Sequence, residues 1–503
     1  MSMINVSNLT FSYDGNPENI FENVSFIIDT NWKLGFIGRN GKGKTTFLNL
    51  LRGQYDYSGS ILANVNFDYF PFKIENPDLS SYEIAEKINN KYEKWQFERE
   101  MSLLDMNLEK LSNSFSTLSE GEKTKVLLAI LFLKENNFLL IDEPTNHLDI
   151  QARESVAKYL KRKKGFILVS HDRNFLDVCV DHILSINRAN IEIQQGNFST
   201  WWKNKIKQDI FETKENEKLR KDISRLEKSA RQSANWAGEI EASKYNIRGD
   251  LLQDKGFIGH KSAKMMKRSI VTQKRRQKAI EEKSQLLKNI ETSEELKLNL
   301  LPNRKGKIVE ANKLSIIYDG MPIFDNVDFS LESGERLQLK GKNGCGKSSI
   351  IKLILGCDID YKGTLNINKN IKISYVSQEP LHFTGSLKEY ARKNSIEESL
   401  FKSILRKLDF EREQFDKKLE SYSEGQKKKV LIAKSLCEQA NLYIWDEPLN
   451  YVDIFSRMQI ENVILEYCPT MIFVEHDEEF AKKIATKTLT IIRNNEKKKD
   501  EEK

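Results

Sequence analysis

The 503-residue chain carries 80 Lys and Arg against 73 Asp and Glu, with 39% hydrophobic residues and five cysteines. That length supports two or three domains with their own cores. No run reaches the ~18 apolar residues that cross a bilayer, and Cys179, Cys345, Cys357, Cys437 and Cys468 lack the CxxC spacing of zinc or iron–sulfur sites. A membrane pore and a metal–thiolate scaffold are thereby excluded. The cysteines are expected to be buried, reduced thiols of a cytosolic protein, and residues 1–5 are not expected to begin a signal peptide.

Residues 33–38 (KLGFIG) are expected to form a buried strand, and residues 44–52 a helix stopped by Gly53. Between them lies Gly38-Arg39-Asn40-Gly41-Lys42-Gly43-Lys44-Thr45. In such a GxxxxGK[ST] loop, glycines let backbone N–H groups and a helix N-terminus face phosphate oxygens. Lys44 then meets the β- and γ-phosphates of ATP, and Thr45 offers a hydroxyl to Mg²⁺. Gly38, Asn40, Gly41, Gly43 and Thr46 complete the expected cradle. Further on come Ser119-Glu120-Gly121-Glu122 and two short apolar runs of central-strand type, 138–142 and 166–170. Asp142, ending the first run, is placed to hold the metal, and Glu143 to orient or deprotonate a water. His171, after the second, can donate to the γ-phosphate.

From about residue 203 to 300 apolar residues become sparse and recur at helical spacing, as at Leu219, Ile223 and Leu226. This predicts a hairpin of two helices with an apex loop at about 236–260, rich in Gly and large apolar residues. Between Lys261 and Lys288 there are ten basic residues and two acidic ones. Lys274, Arg275, Arg276 and Lys278 are candidates for nucleic-acid phosphates, and the apex residues Tyr245 and Phe257 for stacking on exposed bases.

The second half repeats the first. Gly341-Lys342-Asn343-Gly344-Cys345-Gly346-Lys347-Ser348, Ser423-Glu424-Gly425-Gln426, Asp446-Glu447-Pro448 and Glu475-His476-Asp477 follow their first copies by 303 to 305 positions. Four motifs in register mean an internal duplication. The same roles then fall to Gly341, Asn343, Gly344, Gly346, Lys347, Ser348 and Ser349 around ATP, to Ser348 and Asp446 at the metal, and to Glu447 and His476 in catalysis. The expected fold is α/β, with tandem nucleotide-binding cassettes at 1–202 and 301–492, a helical hairpin linker at 203–300 and a frayed charged tail at 493–503.

These motifs resemble the ATP-binding cassette superfamily over both cassettes. Residues 118–122 (LSEGE) and 422–426 (YSEGQ) are similar to its signature, with Glu for the usual middle glycine. The resemblance implies head-to-tail closure within one monomer. Lys44, Asp142, Glu143 and His171 would work with Ser423 and Gly425, and Lys347, Asp446, Glu447 and His476 with Ser119 and Gly121. It also implies that Tyr13 and Tyr318 stack on adenine and that Gln378 contacts Mg²⁺ and water. Phe72 stands where Gln378 has its counterpart, so unequal sites are expected.

The duplication, the basic linker and residues 141–149 (IDEPTNHLD) resemble the ABC-F family, and residues 444–453 (IWDEPLNYVD) its antibiotic-resistance ribosome protection proteins of Lsa type. The intervals from Phe72 to Ser119 and from Gln378 to Ser423 leave no room for the extra arm of housekeeping members. The resemblance implies a cytoplasmic ATPase without a membrane domain that meets the bacterial ribosome, its large-subunit rRNA and P-site tRNA. A housekeeping factor for stalled ribosomes and the ATPase of a membrane exporter are the alternatives.

Overall fold

The computed structural model describes residues 2–13, 19–89, 92–134, 136–146, 148–186, 191–243, 271, 274, 296–302, 306–318, 320–379 and 383–494. By its contacts the chain divides into a unit of Met1–Trp201 with Ser293–Lys503 and a unit of Trp202–Thr292. Both cassettes lie in the first unit.

In the first cassette, β1 (Met3–Phe11) pairs antiparallel with β2 (Phe21–Asp29) and with β4 (Ser58–Leu62). The central sheet takes β3 (Lys33–Ile37), β5 (Asn66–Phe70), β6 (Asn137–Asp142), β7 (Phe166–Val169), β8 (His182–Ile186) and β9 (Ile191–Gln195) in the order β5-β6-β7-β3-β8-β9. It is parallel except for β9, which pairs antiparallel with β8. Its inner strands are mainly apolar because both faces are covered: β7, Phe-Ile-Leu-Val, is buried at every position. The second cassette repeats this plan. β10 (Lys307–Tyr318) pairs with β11 (Met321–Glu332) and β13 (Tyr361–Ile367), and β12 (Arg336–Lys340), β14 (Ile373–Val376), β15 (Leu442–Asp446), β16 (Met471–Val474) and β17 (Lys487–Thr490) run in the order β14-β15-β16-β12-β17.

Between the fifth strand of each cassette's plan and its signature serine stand two helices, Ser81–Ile88 and Lys94–Leu103 in the first and Leu387–Lys393 and Glu398–Lys407 in the second. Neither cassette carries an extra arm there among the described residues. Ser119 and Ser423 then start the helices Glu120–Phe132 and Glu424–Cys437 through matched capping boxes. In the first, Ser119 Oγ accepts from Glu122 N at 3.3 Å while Ser119 N donates to Glu122 Oε2 at 3.0 Å, satisfying two orphan donors reciprocally.

The linker begins at Trp202, within a residue of expectation, and departs from it at its far end and at its apex. Its first helix runs from Phe198 to Ser243, 46 residues, about 69 Å at 1.5 Å per residue. It does not break at 236, because Ala234, Ala237 and Ala242 with Glu239 and Glu241 are strong helix formers that carry it past the lone Gly238. At the far end, Leu296 and Leu298 are already buried in the second cassette's core, and Leu301 N donates to Ala440 O at 3.1 Å. Val271 and Lys274 are helical. Tyr245, Phe257, Arg275, Arg276, Lys278 and most of the tail lie outside the described residues.

All five cysteines are free, but Cys357 and Cys468 are exposed. Their apolar neighbours in sequence belong to helices that end just before them, so the expectation of five buried thiols is corrected. No helix of the described residues is long and apolar enough to cross a membrane.

Candidate functional site

Each phosphate loop leads into a helix whose first residue is the loop lysine, Lys44 or Lys347. The preceding glycines, Gly43 (φ 93°) and Gly346 (φ 102°), are left-handed, a region that favours glycine. A Cβ on Gly43 would stand 2.6 Å from Ile20 Cγ2, and on Gly346 2.8 Å from Phe324 Cε1. The lysine amines fold back on their own loops. Lys44 Nζ donates to Gly38 O at 2.7 Å and to Asn40 Oδ1 at 3.3 Å, and Lys347 Nζ to Gly341 O at 2.8 Å.

Two cavities of about 880 and 1360 Å³ hold most of the expected residues, although Gly38, Gly341 and Asp446 are not among those lining them. The smaller is lined by Asn40, Gly41, Gly43, Lys44, Thr45, Thr46, Asp142, Glu143 and His171 of the first cassette with Ser423 and Gly425 of the second. The larger is lined by Asn343, Gly344, Gly346, Lys347, Ser348, Ser349, Gln378, Glu447 and His476 of the second with Ser119 and Gly121 of the first. Residues some three hundred positions apart thus meet head to tail, twice. Across the boundary Asn40 Nδ2 donates to Tyr451 O at 2.8 Å, Arg39 pairs with Asp409 at 3.4 Å and Lys42 with Glu411 at 2.9 Å.

Tyr13 lines the smaller cavity, its hydroxyl 2.8 Å from Thr46 Oγ1. Tyr318 is not among the residues lining the larger; its hydroxyl donates to Ser349 Oγ at 3.3 Å. Ile323 and Arg493 line that cavity instead.

The two acidic clusters are alike in backbone and unlike in partners. Glu143 (φ 50°) and Glu447 (φ 47°) are both left-handed, strain of ~1–3 kcal/mol each that the surrounding sheet must hold. It does so through Glu143 N to Val169 O at 2.9 Å and Glu447 N to Val474 O at 3.0 Å. Each glutamate faces a histidine, with His171 Nε2 3.3 Å from Glu143 Oε1 and His476 Nε2 3.3 Å from Glu447 Oε1. Glu447 Oε2 also accepts from Gln378 Nε2 at 3.1 Å and Asn450 Nδ2 at 2.8 Å, whereas Glu143 Oε1 is buried and, although His171 lies close, is not met in hydrogen-bonding geometry.

Strand register explains the difference. Phe70 pairs with Ile141 and Val376 with Trp445, each one residue before the strand-end aspartate, so Phe72 and Gln378 stand at the same count beyond their strands, but Gln378 lines the larger cavity while Phe72 is not among the residues lining the smaller and has no side-chain donor. Burial and neighbouring Asp142 raise Glu143 to about 8. Burial also acts on Glu447, but the hydrogen bond and charge of His476 with the Lys347 ammonium outweigh it and lower the carboxyl to about 2. Burial, reinforced by the cations Lys44 and Arg457, holds His171 well below the usual imidazole range.

The oxygens available for a divalent cation are Thr45 Oγ1 and Asp142 Oδ2, 3.1 Å apart, and their counterparts Ser348 and Asp446. Asp446 Oδ1 is buried without a partner, and an all-oxygen set suits Mg²⁺, so the residues fit that ion. The sequence reading missed Tyr69, whose hydroxyl donates to Asp142 Oδ2 at 2.9 Å, and Asn450, which stands in the duplicated string after each Asp-Glu-Pro. Tyr451, whose carbonyl holds Asn40, carried no signal because a backbone contact across cassettes leaves no residue type behind.

The sequence matches the ABC transporter family model at residues 21–146 and 324–450. It is 28% identical to the ATP-binding protein Uup of Buchnera aphidicola, over 97% of this chain and 80% of that protein. It is 27% identical to the ribosome protection protein VmlR of Bacillus subtilis, over 96% and 86%. Among solved structures, archaeal ABCE1, a ribosome recycling factor crystallised with the stalk protein aP1, superposes with a TM-score of 0.61 at 19% identity, covering 96% of this chain and 87% of that one, which speaks to the fold alone. The chain belongs to the ABC transporter family, with its ATP-binding domain present in two copies.

Proposed function

We propose that the chain is an ABC-F ATPase that acts on the bacterial ribosome in the cytoplasm, closing its two cassettes on two ATP molecules and reopening on hydrolysis. The observation that carries this reading is the pair of cavities that each combine one cassette's phosphate loop with the other's signature serine. A site of that kind is complete only in the closed form, so ATP binding and closure are one event.

At each site Glu143 or Glu447 orients the water that attacks the γ-phosphorus as the bond to the β–γ bridging oxygen breaks, releasing ADP and phosphate. Mg²⁺, held by the Thr45–Asp142 and Ser348–Asp446 pairs, would neutralise the charge that develops on the phosphate oxygens. His171 and His476 donate to the γ-phosphate, and Tyr13 stacks on adenine in the first site. Likeness along nearly the whole chain to a ribosome protection protein supports the finer reading: binding at the tRNA exit site, with the linker displacing antibiotics from the peptidyl transferase centre.

Co-sedimentation with ribosomes or membranes, and a drug panel in a sensitive bacterium, test it. The Glu143→Gln, Glu447→Gln double variant should remain on ribosomes with ATP. Shortening residues 245–257 should remove protection from lincosamides and pleuromutilins while ATPase activity persists. Sedimentation with membranes, or full protection by the shortened protein, would overturn the reading.

A further inference from the structure

Behind the larger cavity lies a buried cation that no role above uses. Lys428 is 2% exposed, and its Nζ donates to Ser377 O at 3.0 Å and to Glu447 O at 3.0 Å. One amine therefore joins the loop that carries Gln378 to the backbone of the glutamate Gln378 contacts.

The first cassette has no such tie. Counted from the capping serines Ser423 and Ser119, the position of Lys428 is held there by Thr124, whose hydroxyl donates to Glu120 O of its own helix at 3.0 Å. A second exchange accompanies the first. After the third core strand the first cassette has Ser170, whose hydroxyl lies 3.3 Å from Thr145 Oγ1. The second has Glu475, whose Oε2 accepts from Leu449 N at 3.3 Å and whose Oε1 accepts from His476 N at 3.0 Å. A buried carboxylate costs several kcal/mol unless a charge compensates it. Glu475 is the foremost of the anions that oppose the effect of burial on Lys428, while Arg457 is the foremost cation acting on Glu475. The cation and the anion thus arrive together and between them hold Ser377, Glu447, Leu449 and His476.

We propose that Lys428 is a positioning residue for hydrolysis at the Lys347 site: it fixes the backbone of Glu447 against the Gln378 loop, so that the carboxylate meets the water in one geometry. The Lys44 site, with Thr124 and Ser170, has no equivalent. This rests on the hydrolytic role proposed for Glu447. A misplacement of the order of 1 Å in such a group costs ~10²-fold, so an uncharged side chain of similar length should lower turnover without weakening ATP.

The test compares Lys428→Met in two backgrounds of the full-length protein, by steady-state hydrolysis of MgATP with ribosomes. In Glu143→Gln, where the Lys347 site supplies the turnover, kcat should fall about 10- to 100-fold with KM unchanged within about twofold. In Glu447→Gln the loss should be far smaller. The Lys428→Thr, Glu475→Ser pair, which imports the first cassette's arrangement and removes the amine and the carboxylate together, guards against misfolding and should keep the low kcat. Equal loss in both backgrounds, a rise in KM alone, or wild-type kcat in either Lys428 variant would overturn the proposal and leave the role of Glu447 standing. If Glu143→Gln turns over no faster than the double Gln variant, both fall.

Discussion

Arg173 of the first cassette and Glu461 of the second form a buried ion pair across the cassette boundary, with Nη1 donating to Oε2 at 3.2 Å. Arg173 Nη2 also lies 3.9 Å from Asp477 Oδ2. Arg173 opens its helix after Asp172, as Glu478 does after Asp477, and Glu461 is the eighth residue of a helix whose counterpart carries Ala157 there. The pair therefore has no mirror image at the corresponding positions, where Glu478 and Ala157 stand.

Replacing Arg173 by Ala should weaken closure. Truncating one partner of a buried, hydrogen-bonded pair costs ~2–5 kcal/mol, and the low end applies because Lys483 remains 3.3 Å from Glu461. The ATP concentration for half-maximal turnover should rise roughly 30-fold for 2 kcal/mol, and the Arg173→Met, Glu461→Met pair should recover part of it. An unchanged ATP requirement would show that the pair does not contribute to closure.

The two proposed hydrolytic sites should differ in size of effect and in pH dependence. At pH 7 Glu447 is ionised, since it titrates at about 2, whereas Glu143, raised to about 8, is mostly protonated and a poor base. Glu447→Gln should therefore lose more ribosome-stimulated turnover than Glu143→Gln. The turnover left in Glu447→Gln should increase as pH rises through about 8 and Glu143 ionises, and that left in Glu143→Gln should stay level between neutral pH and that point. Mg²⁺ beside Asp142 would move the Glu143 midpoint down without reversing the order of the sites. Identical profiles would contradict the asymmetry.

The signature glycines are expected to respond unequally as well. A Cβ at Gly425 would meet Tyr451 O at 2.6 Å and Asn40 Nδ2 at 3.1 Å, whereas at Gly121 the nearest atom is Leu148 Cδ2 at 3.4 Å. Gly425→Ala must displace a carbonyl that closes the cassette boundary, and Gly121→Ala meets an ordinary contact. ATP-dependent closure, followed by a fluorophore pair on the two cassettes, should be impaired more by Gly425→Ala. The opposite order would mean that the Asn40–Tyr451 contact is dispensable.

The sequence by itself determined the parts whose physics is local. Phosphate loops need glycine at left-handed positions and a lysine opening the next helix, so Gly43-Lys44 and Gly346-Lys347 declare themselves. Strands buried on both faces must be apolar, so β3, β6, β7, β12, β15 and β16 were legible as runs. Duplication then doubled every assignment. Tertiary structure decided what depends on surfaces meeting at long range. Lys428, read along the chain, is one of three consecutive lysines; only packing of its helix under β15 makes it a buried tie. Arg173 and Glu461 are ordinary charges until closure removes their water, and Tyr69 becomes a partner of Asp142 only because β5 lies beside β6. The helix that runs to Ser243 was misjudged at 236 for the converse reason, a single glycine being outweighed by helix formers on both sides.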